Sequence, residues 1–300
     1  MSQNEIQMYK ELLELLEQRF EKEEIDKESY RELKERYTKK LDEAREERKL
    51  LKDAPQIKVS GAQTLTKETV TIAGSAKLSG GKVMRNIRIA GSGNISGDIE
   101  CNALKCAGSV KSQGSIIAHG EVKCSGSFKS EGFLHGDENA SFNGSAKIGD
   151  ELVIQGKLSA SGSFKTEGNT QAKQGVSISG SSHIYGSILS QNTVTIGGKS
   201  SIEKDIVCEN LIVEGRRTVF ESWFFRKQKK LVRVYGNIIA QNEIDIQDIE
   251  VEKDVKGRVI KLGPNTMIFG TVYYVEDLFL SDGVKLEKEP VKIELQDLRL

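Results

Sequence analysis

Apolar positions along this chain follow two different periods. From Met1 to Lys52 they recur at helical spacing, with Ile6, Tyr9, Leu13, Leu16 and Phe20 in one stripe and Tyr30, Leu33, Tyr37, Leu41 and Ala44 in a second. No glycine or proline interrupts this stretch. Between the stripes, Ile25-Asp26-Lys27-Glu28 reads as a turn in which the Asp26 carboxylate accepts N–H groups orphaned at the start of the second helix. The pattern predicts a helical hairpin over residues 1–52, or one long helix that dimerises, acting as an interaction module.

Beyond Pro55 the period becomes two. Gly-Ser units begin at Gly74, Gly91, Gly108, Gly126, Gly144, Gly162 and Gly180, in steps of 17 and then 18 residues. A finer repeat lies inside them. Stepping by six from 108 to 198 visits 16 positions, of which 12 are glycine, and the residue two further on is apolar in 13 of the 16. Alternation with a glycine corner three times per 18 residues predicts a three-sided β-helix, a single-stranded solenoid of 17–18-residue coils, regular over residues 57–215. Residues 18 apart then stack. Cys106, Cys124, Phe142, Ala160, Ile178 and Ile196 are expected in one inward ladder, and Lys111, Lys129, Lys147 and Lys165 in an outward column partly neutralised by Glu131 and Glu167. Residues 216–230 break the pattern as an aromatic and basic insertion, and residues 231–293 return to less regular coils.

Composition narrows the function. The 29 glycines stand against 3 prolines, which is unlike a linker, and 44 basic residues balance 44 acidic ones, so no net field recruits nucleic acid. The chain opens with charge and holds no long apolar run, so neither a signal peptide nor a membrane span is expected, and the expected location is cytoplasmic. Cys106 and Cys124 should stack within disulfide reach, yet in that compartment they read as a reduced pair filling the core. There is no Walker loop, no dinucleotide fingerprint and no metal-spaced Cys/His set, so no cofactor or metal is expected.

The runs GSIIAHGEVKCSGSFKSEG, VSISGSSHIYGSILSQNTVTIGG and VYGNIIAQNEIDI resemble the repeat phrasing of bactofilins, the polymer-forming cytoskeletal proteins. That resemblance covers residues 57–293. It implies a right-handed β-helix that assembles end to end into nucleotide-independent filaments and positions other proteins, with no enzymatic activity. The segment LLEQRFEKEEIDKESYRELKERY resembles SHOCT-type helical hairpins, with Glu24 where a glycine is usual. The chain departs from bactofilins in its long rod, its insertion and its helical N-terminal module.

The rival reading is a left-handed β-helix of the hexapeptide acyltransferase kind. Such an enzyme needs a base, normally histidine. His119, His135 and His183 all fall at outward stations, and no carboxylate is placed by sequence to orient His135 or His183. Two surfaces remain as candidates. In the insertion, Trp223, Phe224 and Phe225 beside Arg226, Lys227, Lys229 and Lys230 suit a membrane surface, or alternatively pack back on the rod. Both rod ends read as uncapped, and Phe269, Tyr274, Phe279 and Leu280 are the candidates for self-assembly at the C-terminal one. The expected partners are therefore the chain itself, a protein bound through residues 1–52, and a membrane surface.

Overall fold

The computed structural model describes residues 3–22, 25–52, 57–65, 68–215 and 232–298. Two compact units divide at Pro55. The first is a hairpin of α1 (Gln3–Glu21) and α2 (Lys27–Lys52). Asp26 Oδ1 accepts the N–H groups of Glu28 and Ser29, both at 2.9 Å, and Oδ2 accepts the Ser29 hydroxyl at 2.7 Å, so the start of α2 is closed by one side chain. Near the turn the rings of Phe20 and Tyr30 stack at 4.2 Å, while Glu17 accepts from Lys34 at 3.0 Å and from the Tyr30 hydroxyl at 3.2 Å. Leu16 and Leu41 are buried, but Ile6, Tyr9, Leu13 and Leu33 stay half-exposed, so the seam between the helices is only partly closed.

The second unit is a parallel β-solenoid of about 12 turns. Each coil has three short strands. Residues 122–124 form side one and 128–130 side two, joined by a bend at Ser125-Gly126-Ser127, and Leu134–Gly136 forms side three. Burial alternates along the strands of this coil, so the residue between two inward ones faces out. The inward ladder follows the 18-residue spacing: Cys106 pairs with Cys124, Cys124 with Phe142, Phe142 with Ala160, Ala160 with Ile178, and Ile178 with Ile196. In the early coils the pairing offset drops locally from 18 to 17. Val83 pairs with Cys101 but Asn86 pairs with Ala103, so Met84 and Arg85 together face Asn102 as a bulge.

Glycine is required at the bend between sides one and two. Gly108 and Gly126 both adopt positive φ, 127° and 116°, and a Cβ on Gly126 would run into the carbonyl oxygen of Gly108 in the coil before. Across that bend three successive coils each carry one phenylalanine and one small residue. Cys124 goes with Phe128, Phe142 with Ala146, and Ala160 with Phe164. Phe142 therefore sits between Phe128 and Phe164, with ring centroids 5.5 and 6.1 Å away, and volume stays constant from layer to layer. The few inward hydroxyls are satisfied locally, as where Ser112 and Ser130 donate to the Gly114 carbonyl at 3.1 and 3.0 Å.

Two findings correct the sequence reading of the ends. The strand β1 (Ile57–Leu65) does not begin a coil; it runs antiparallel to β2 (Thr69–Leu78), with Ile57 opposite Leu78 and Leu65 opposite Val70. A short reversal suffices for that pairing, whereas a further parallel coil would need a full circuit of chain. Parallel coils thus start at Thr69, and the β2 edge is covered. At the other end a 3₁₀ turn, Leu295–Leu298, returns to the strand Val255–Leu262 and buries Leu298. The insertion residues 216–230 lie outside the described residues, but their flanks are placed: Ser200 pairs with Val232 and Ile206 with Ile238, so the ladder closes across the break.

Replacing Phe142 by Ala should lower stability by about 3–5 kcal/mol. If constant layer volume is the rule, adding Ala146→Phe to that variant should recover part of the loss, because the new ring fills the same coil. Urea unfolding of the single and double variants measures both effects, and a double variant less stable than Phe142→Ala would contradict the rule.

Candidate functional surfaces

The outward column of side two begins as lysine. Lys111, Lys129, Lys147 and Lys165 are register partners in successive coils, followed by His183. At a coil spacing of about 4.8 Å their repulsion must be offset. Glu131 lies 3.3 Å from both Lys111 and Lys129, and Glu167 lies 3.2 Å from both Lys147 and Lys165. Each carboxylate thus bridges two coils. The Lys111 ammonium, and then Lys129, hold the Glu131 carboxyl below its ordinary range. Glu203 continues the series, bonded to His183 at 2.8 Å and to Ser201 at 3.1 Å. The column is a neutralised, solvated face more than a free cationic stripe.

All three histidines have carboxylate partners, contrary to the expectation drawn from the linear sequence. His135 Nε2 meets Glu151 at 2.9 Å, and its ring stacks on Phe133 at 4.3 Å. His183 stacks on Tyr185 at 4.2 Å. His119 is held at both nitrogens, by Glu100 at 2.9 Å and Asp137 at 2.8 Å, and Glu100 also meets Lys82 at 2.7 Å. Every one of these partners sits about one coil away, 16 to 20 residues, where the turn of the solenoid brings it back beside the ring. Glu100 first, then Asp137, raise the His119 pKa above its ordinary value. Both ring nitrogens are engaged by carboxylates, so neither is presented free to act as a base.

The corner between sides two and three carries a ladder that the sequence reading missed. Asp98 accepts the Ser115 N–H at 2.7 Å, Asn169 that of Ser187 at 2.9 Å, Asp205 that of Asn237 at 2.6 Å and Asp254 that of Thr271 at 2.8 Å. These are structural bonds at a bend, and their signal was an Asp or Asn recurring one coil before a Ser, Asn or Thr. The four cysteines are buried and free. Burial pushes the thiols of Cys101 and Cys208 up to about 12, and the bond to Cys106, with burial added, raises that of Cys124, so these three are not ready nucleophiles.

Of the self-assembly candidates, the structure brings two to the last layer. Phe269 is half-buried, and the strand Lys285–Leu286 stacks beyond its neighbour Ile268; Tyr274 is half-buried against the core and pairs with Lys292. Phe279 and Leu280, in contrast, have no further strand beyond them among the described residues and are 54% and 53% exposed. With Leu278 and Leu286 half-buried beside them, they give the C-terminal layer an apolar face. Trp223, Phe224, Phe225, Arg226, Lys227, Lys229 and Lys230 lie outside the described residues; the flanking strands Asn210–Val213 and Val232–Val234 place the insertion at the corner between sides one and two. Among the described residues no group of three or more His, Cys, Asp or Glu is placed to hold a metal, and no helix is long and apolar enough to cross a membrane.

The His119 midpoint in an NMR titration should lie above about 6.5, the ordinary imidazole value, and Glu100→Gln should lower it. The associated stabilisation is present below the unfolded-state pKa and is lost as pH rises through the elevated folded-state pKa. An unshifted midpoint in both proteins would contradict the clamp. No family model, curated protein or solved structure matches this chain, so its own residues carry the functional reading.

Proposed function

We propose that this protein is a non-enzymatic structural scaffold, bactofilin-like in that its rods join end to end without nucleotide. One observation carries the reading. Among the described residues, the strand segment 277–280, with Lys285–Leu286 and Val291–Lys292, has no further strand partner in the last layer, while Phe279 and Leu280 present apolar surface there. Unpaired strand edges joined to an apolar face favour pairing with another chain.

The rest of the molecule supports a mechanical more than a chemical role. The core is one continuous column of packed apolar side chains, the four thiols are buried, and both nitrogens of His119 are engaged by carboxylates. These features weigh against the acyltransferase reading, which needs a free base. The half-closed seam of the α1–α2 hairpin suits recruitment of a protein partner through residues 1–52, where the SHOCT-like segment lies. The aromatic and basic insertion suits contact with an anionic membrane surface from the side of a cytoplasmic rod.

Light scattering without nucleotide tests the assembly. The native protein should form species of many chains, and Phe279→Arg or Leu280→Arg should reduce them to small discrete ones while the β-rich circular dichroism spectrum is kept. An unchanged size distribution in both variants would overturn the C-terminal contact. A native protein with no species larger than two chains would overturn end-to-end growth.

A further inference from the structure

Side three differs from the other two outward faces. Side one presents Arg88, Lys105 and Lys123 and then serines, and side two presents the lysine column. Along side three the outward residue is instead apolar at Ile117, Val153, Leu189, Val207, Ile239 and Tyr273, all half-exposed. Polar corners run along both its margins. An apolar strip with a polar rim is the anatomy of an interface core.

We propose that a second copy of this chain packs antiparallel on side three, with the two-fold axis passing through Gln171. The register follows from counting coils. Gln171 lies four coils from Glu100 in one direction and four from Lys256 in the other, through the pairings Glu100–Ile117–His135–Val153–Gln171 and Gln171–Leu189–Val207–Ile239–Lys256. Antiparallel pairing about Gln171 therefore sets Glu100 against Lys256, Ile117 against Ile239, and Val153 against Leu189. One coil beyond Glu100, Lys82 meets Tyr273, a cation over a ring. Gln171 meets its own copy, and two amides satisfy each other. Parallel pairing would instead set each charge against itself, Glu100 on Glu100 and Lys256 on Lys256, which costs affinity. The antiparallel register also brings Asp137 opposite Glu209, Asp98 opposite Asp254 and Lys173 opposite its own copy, all at the rim, where solvent screens like-charge contacts to little cost.

The size is sufficient. At about 4.8 Å per coil and about 3.3 Å per strand residue, the strip is roughly 50 Å long and 10 Å across. Two rods laid face to face would bury on the order of 1,000 Å², the threshold for a specific interface. The pairing is lateral, so it is independent of the end contact proposed above.

Oxidative cross-linking of the full chain carrying Phe279→Arg, which removes the end contact, tests this pairing. Gln171→Cys should convert most of the protein to a disulfide-linked dimer, because residue 171 faces its own copy and the four native thiols are buried. Ser159→Cys, outward on side one, should cross-link at least tenfold more slowly. Ile117→Cys and Ile239→Cys should cross-link when mixed and not separately. In light scattering, Leu189→Arg should halve the mass of the Phe279→Arg species with an unchanged melting curve. Equal cross-linking at positions 171 and 159, or a Phe279→Arg protein that is already a single chain, would overturn the pairing. Flotation of that single chain with anionic vesicles, abolished by Leu189→Arg, would assign the strip to a lipid surface and overturn it too. If Leu189→Arg fails to fold, the cross-linking comparison still decides. A failure of Phe279→Arg to change the native size distribution would count against the end contact alone.

Discussion

Everything in the solenoid depends on one constraint: the backbone ladder fixes each coil about 4.8 Å from the next and in register with it. Residues one coil apart cannot choose their environment separately. A glycine bend must repeat, because a Cβ at Gly126 would strike the carbonyl of Gly108. A large ring must be followed by a small residue, as Phe128 is by Ala146 and then Phe164. A column of lysines must find anions within reach, as Lys111 and Lys129 share Glu131 and Lys147 and Lys165 share Glu167. Packing, corner geometry and surface charge are three answers to the same translation.

That constraint also explains what was legible in the sequence. The inward ladder from Cys106 to Ile196 could be written down from spacing alone, because period two and period eighteen leave one solution. Glu131 and Glu167 were found for the same reason. Asp137, one full coil from His119, was legible by the same spacing but was not read; Glu100, Glu151 and Glu203 were not legible, since they lie one or two residues off a full coil from their histidines. Reaching across a corner shifts the partner off the strict period, and side-chain length decides which neighbour is met. The antiparallel β1 escaped for another reason. Its sequence alternates and carries Gly61 opposite Gly74, so it fits the repeat as well as a coil does, and only strand direction separates the two.

The candidate surfaces divide along the same line. Side-two charge and the aliphatic outward column of side three are properties of a register, so each becomes visible once residues are read down columns and not along the chain. The C-terminal face is a property of where the register stops. Phe269 and Tyr274 look equivalent to Phe279 and Leu280 in the linear sequence, yet a further strand stacks beyond the first pair and not beyond the second. Which residue is terminal depends on how many strands remain after it, and that is set by the path of the final circuit.

The bridging carboxylates bear on how such a rod can change in length. Glu131, Glu167 and Glu203 recur every second coil, with Gly149 and Tyr185 at the stations between, and Phe128 and Phe164 keep the same alternation. The operative unit is thus a pair of coils, 36 residues, although the backbone repeats every 18. Loss of the single coil between them would put Phe128 beside Phe164 and Glu131 beside Glu167. Loss or gain of two would leave every column in phase, so the gene for this rod can be lengthened or shortened at little cost only in double steps.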